Sequence, residues 1–72
     1  MHIGIEKLRD RIQALMEAAI ASCTKCSEEL KGVMKEWIAN RGSSARSAEV
    51  TARLVPLMEA CGCDYCRQIL EH

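Results

Sequence analysis

The chain has 72 residues, ten basic and ten acidic side chains, no net charge, five cysteines, and only one Trp and one Tyr as aromatics. A neutral chain lacks the broad positive field of a non-specific nucleic-acid binder, and so few aromatics leave little for base stacking. A single domain of this length, residues 1–72, buries a small core and commonly needs a metal, disulfides or association to be stable.

In chain order, charges follow the N-terminus at once (Glu6, Lys7) with no apolar h-region, which argues against a secretory signal. No apolar run approaches the roughly 20 residues that span a bilayer. The expected location is therefore the reducing cytoplasm, away from the membrane. There, five cysteines point to metal or thiol chemistry rather than to a disulfide framework, and an odd number cannot all pair within one chain.

The first predicted element is helical. Ile5, Leu8, Ile12, Met16, Ala19, Cys23, Cys26, Leu30, Val33 and Trp37 step by three or four and draw one apolar seam. Leu15, Ile20, Met34 and Ile38 widen it. The charges at Glu6, Lys7, Arg9, Asp10 and Arg11 form the wet face. A continuous helix from Ile5 to Asn40 would be roughly 50 Å long at 1.5 Å per residue, more than one small core needs. Either a partner covers it or it breaks between Thr24 and Ser27, where Ser27 with Glu28 and Glu29 makes an N-cap and an acidic first turn.

Asn40-Arg41-Gly42 is a helix stop with Gly42 available for a left-handed cap. Ser44 or Ser47 can cap the next helix, with Glu49 in its first turn. Val50, Leu54, Leu57, Met58 and Cys61 continue at helical spacing. Pro56 is expected to kink that helix or end it near Leu54, and Gly62 marks a stop. A short amphipathic piece with Ile69 and Leu70 follows. The predicted fold is all-α: a helical hairpin with a long first helix and a kinked returning helix, stapled by a cysteine-ligated metal.

The cysteines form two clusters, Cys23-Thr24-Lys25-Cys26 and Cys61-Gly62-Cys63-Asp64-Tyr65-Cys66. Each contains a CxxC pair. Zinc takes four tetrahedral ligands, typically as two such pairs, and two intervening residues let both sulfurs face one point. The expected ligands are Cys23, Cys26, Cys63 and Cys66, with Cys61 a spare thiol, an alternative ligand or a core residue. The competing readings are buried core cysteines, a thiol redox site, or an iron–sulfur cluster, which four Cys also suit. In ligand types the set resembles the small helical ferredoxins that hold a two-iron cluster with a CxC and a distant CxxC. In those the CxC comes first, and here the order is reversed. His2 and His72 are expected to be solvated chain ends.

No nucleophile–base constellation is visible, and the chain is too small and apolar for a catalytic pocket, so an enzyme is not expected. Ser43, Ser44 and Ser47 with Arg41 and Arg46 could hold a phosphate, but a capped, solvated loop explains them as well. Arg41, Arg46 and Arg53 are the only basis for a DNA-binding regulator. Trp37, at the end of the seam, reads as a core or interface anchor.

The function expected from the sequence is a zinc-stabilised helical module that regulates, adapts or inhibits by binding another protein. An iron–sulfur or thiol-based redox sensor is the alternative, and a small DNA-binding regulator the second. The stripe Ile5–Met16 extends beyond the reach of the returning segment and is expected to form a homodimer or a partner contact.

Overall fold

The computed structural model describes residues 3–71, with side chains from Lys7 to Glu71. Helix α1 spans Ile3–Ser22, α2 Glu28–Ala39, α3 Ser44–Cys61 and α4 Asp64–Leu70, and no strand occurs among the described residues. His2 and His72 lie outside them, as do the side chains of Ile5 and Glu6.

The long first helix breaks within the stretch left open by the sequence. The Cys23 amide still donates to the Ala19 carbonyl (2.9 Å), closing the last turn of α1. Four residues later the Ser27 hydroxyl accepts from the Leu30 amide (3.1 Å), and Glu28 and Glu29 occupy the first turn of α2. This cap satisfies one of the orphan amides of α2, and the carboxylates meet the positive end of its dipole. The break folds α2 back on α1, so the molecule is only 36 Å long. The hairpin thus becomes four helices, running up, down, up and down.

Each helix touches its two neighbours around the bundle: α1 packs on α2 and α4, and α3 packs on α2 and α4. The diagonal pair α1 and α3 has no close backbone approach. The core between them comes from seam residues: Met16 and Ala19 on α1, Leu30, Val33, Met34 and Trp37 on α2, Val50, Leu54 and Met58 on α3, and Ile69 on α4. The spacing of the α2 set, i, i+3, i+4 and i+7, gives one continuous buried face.

Three local expectations are corrected. Gly42 does not adopt a left-handed conformation, since Gly62 is the only described residue with positive φ. Asn40 ends α2 instead, its backbone and side-chain amides both reaching the Glu36 carbonyl (3.0 and 2.8 Å). Ser43, rather than Ser44 or Ser47, is the N-cap residue of α3, and Glu49 lies beyond the first turn. Finally, of the two outcomes expected at Pro56, a kink or an end near Leu54, the end does not occur: α3 runs through Pro56 to Cys61. Pro56 is exposed, so water can take the carbonyl it leaves unpaired, while Leu54 and Met58 on either side are buried and hold the helix.

Coverage of the N-terminal stripe grows along α1. Met16 is 1% exposed and belongs to the core. Ile12 and Leu15 are half-buried, and Leu8 is exposed. The middle of α1 lies beside the end of α2, where the Arg41 guanidinium bonds Gln13 Oε1 (2.6 Å) and Asp10 Oδ1 (2.8 Å).

Candidate metal centre

The bundle brings three chain segments together at one pole: the turn after α1, the start of α2, and the turn joining α3 to α4. Cys26 immediately precedes the Ser27 cap of α2. Cys61 is the last residue of α3. Gly62, at φ 64°, is the left-handed cap that reverses the chain, its amide donating to the Met58 carbonyl (3.0 Å). A residue with a Cβ resists that conformation, which is why glycine stands there. Cys63 then becomes the N-cap of α4, its sulfur accepting from the Cys66 amide at 3.4 Å. Cys66 lies on the first turn of α4, fully buried.

The sulfurs of Cys26, Cys61, Cys63 and Cys66 all lie within 4.8 Å of one another. Cys26 Sγ is 3.6 Å from Cys63 Sγ and 3.8 Å from Cys61 Sγ. All the described cysteines are free thiols. A tetrahedron with metal–sulfur bonds of about 2.3 Å has edges of about 3.8 Å, so the set matches the size of a single tetrathiolate ion.

Of the ligands expected from the sequence, Cys26, Cys63 and Cys66 fall within this group and Cys23 does not. Cys23 is buried at the end of α1 and is not among the mutually close four. Its backbone is still bonded into α1, so its side chain continues the helical seam below Ala19. Cys61, which the sequence left open as a spare thiol, an alternative ligand or a core residue, is the fourth of the mutually close sulfurs. The spacing carried a signal for this: two cysteines flanking a glycine that caps a helix are turned toward one side of the reversal.

The thiols divide into two classes. Burial, reinforced by neighbouring thiols, pushes Cys26 far above the ordinary thiol range. Burial likewise pushes Cys66 up to about 12, helped by hydrogen bonding and charge at Cys63. At Cys63 burial opposes ionisation, yet the Cys66 amide and nearby thiols donate to it and the balance falls below the ordinary value. Cys61 is lowered in the same way, against burial, by the Cys63 amide and the surrounding thiols. Cys61 and Cys63 therefore lose a proton more easily than Cys26 and Cys66, which hold theirs until a cation displaces them. Loading the metal-free chain with a divalent metal at neutral pH is expected to release a proton from each of Cys26 and Cys66. Apparent affinity should then rise with pH, about tenfold per unit for each proton released. Proton release measured in weakly buffered titrations checks this, and affinity independent of pH between mildly acidic and neutral solution contradicts it.

The arginines proposed as a basic patch each face a carboxylate. Arg41 pairs with Asp10 (2.8 Å), Arg46 with Glu49 (3.2 Å) and Arg53 with Glu36 (3.3 Å). Among the described residues no helix is long and apolar enough to cross a membrane. No family model, curated protein or solved structure matches this chain.

Proposed function

We propose that the chain is a zinc-stabilised helical module that acts by binding another protein and has no catalytic role of its own. The observation that carries the zinc assignment is the mutual distance of the four sulfurs, none above 4.8 Å. An iron–sulfur cluster places its own irons and sulfides among the thiolates and needs a wider cradle, so the spacing favours one ion. Zinc fits a closed tetrathiolate site and undergoes no redox change, as suits a structural role. A structural ion is also what a chain with so small a core needs. Pairing of Arg41, Arg46 and Arg53 with carboxylates weighs against the DNA-binding reading.

Elemental analysis of anaerobically purified chain tests the assignment. One zinc per chain and a colourless solution are expected. Iron with acid-labile sulfide and visible absorption would transfer the site to the redox-sensor reading, and a folded chain without metal would remove both.

A further inference from the structure

The four clustered thiols are not equally shielded. Cys26, Cys63 and Cys66 are buried, at 6%, 3% and 0% exposure, whereas Cys61, the last residue of α3, is only partly buried. Thiol oxidation follows thiolate character and access. Four sulfurs on one ion share the first, so access decides, and an oxidant arriving from water meets Cys61 first. Cys26 Sγ lies 3.8 Å from Cys61 Sγ. Cys63 is nearer along the chain, but only Gly62 separates it from Cys61, and a bridge across that single left-handed residue would close a small, strained ring.

We infer that Cys61 is an oxidation site of the metal centre, where a peroxide joins Cys61 to Cys26 in a disulfide and expels the zinc. The inference rests on the zinc reading of these thiols and adds its regulation. On the ion both sulfurs are thiolates. Cys61 Sγ attacks one peroxide oxygen; the S–O bond forms, the O–O bond breaks, and the departing hydroxide takes a proton from solvent. Cys61 is then a sulfenic acid, oxidised by the two electrons that reduce the peroxide. Cys26 Sγ next attacks the Cys61 sulfur; the S–S bond forms, the S–O bond breaks, and the second hydroxide is protonated in turn. Two thiolates, one hydrogen peroxide and two protons become one disulfide and two waters. Sulfurs in a disulfide lie about 2.05 Å apart and ligands of one tetrahedral zinc about 3.8 Å apart, so the bridged pair cannot also hold the ion. The two thiolates that remain, Cys63 and Cys66, do not complete a four-ligand structural site. The disulfide ties the start of α2 to the end of α3, which already pack on one another.

The test treats the full metal-loaded chain with one equivalent of hydrogen peroxide and follows zinc with a chromophoric chelator. Remaining thiols are blocked with N-ethylmaleimide, and tryptic peptides are sequenced by mass spectrometry. Cleavage after Lys25, Lys31 and Arg53 places Cys23, Cys26 and Cys61 on three separate peptides, and fragmentation separates Cys61 from Cys63 and Cys66. The expected result is one zinc released for each disulfide formed, a Cys26–Cys61 linkage, and Cys23, Cys63 and Cys66 blocked as thiols. Cys23→Ser, which keeps the four clustered sulfurs, should give the same linkage and the same release. Zinc retained with every thiol blocked overturns the inference and leaves the zinc module standing. A Cys26–Cys63 bridge overturns it in favour of the closest pair, at 3.6 Å, and a Cys23–Cys26 or Cys61–Cys66 bridge overturns it as well. A chain purified without zinc overturns the zinc reading and the release with it, while the same digest still decides the Cys26–Cys61 pairing.

Discussion

Replacing Cys66 by serine is expected to strip the metal from the chain and with it most of the helical signal. Cys66 is fully buried, and its sulfur sits with those of Cys26, Cys61 and Cys63. A serine hydroxyl does not ionise near neutrality, so the tetrahedron loses a ligand rather than exchanging one. Structural zinc contributes apparent binding energies of about 10–16 kcal/mol in zinc-finger peptides at neutral pH, while a domain of this size retains net stability of only about 4–11 kcal/mol. Affinity for zinc should fall by several orders of magnitude, and the buried hydroxyl left behind adds a further penalty. Far-ultraviolet circular dichroism and metal content, followed against a competing chelator, read both effects. The companion substitutions decide the ligand set. Cys61→Ser should lose metal nearly as completely as Cys66→Ser, whereas Cys23→Ser should keep one ion per chain. The opposite pattern, with Cys23 essential and Cys61 silent, would restore the two-CxxC ligand set and show that the four clustered sulfurs are not the site.

The second large effect lies in the apolar half of the bundle. Leu54 is 1% exposed, on the face of α3 that packs near Trp37 and Met58. Leu54→Ala removes buried methyl groups and leaves a cavity, at a cost of about 2–5 kcal/mol. In a domain of this size each kcal/mol lowers the melting temperature by roughly 4–8 °C, so the metal-loaded variant should melt about 8 °C or more below the parent. The metal-free variant should be unfolded at room temperature. Leu8→Ala, at an exposed position on α1, should change the midpoint by no more than about 0.5 kcal/mol of stability. Equal midpoints for the two variants in thermal scans at saturating zinc would mean that Leu54 does not sit in the core.

What could be read in the sequence was chiefly local. Ser27 with two glutamates behind it forms the cap expected of it, because that chemistry lies within one turn. Gly62 stops α3 for the same reason. The seam from Met16 to Trp37 is core because helical periodicity and burial coincide. The remainder depended on the tertiary fold. Cys23 and Cys61 differ little in sequence terms, and the choice between them is made by which side of a chain reversal each sulfur faces. Gly42 lost its expected role to Asn40, whose side chain can reach a carbonyl that glycine cannot. Pro56 neither ended nor shortened α3, since the packing of Leu54 and Met58 outweighs one missing backbone hydrogen bond at an exposed position.

Helix α4 has seven residues, and isolated helices shorter than about 12–15 residues are marginal in water. It persists because of what holds its start: Cys63 caps it, Cys66 sits on its first turn, and both point into the thiol cluster. Its other end supplies Ile69 to the apolar core. One short element therefore joins the thiol cluster to the core packing. An ion held by the cysteines would be felt in how firmly Ile69 packs, and a change in that packing would be felt in the affinity for the ion, since a coupling free energy is the same in either direction.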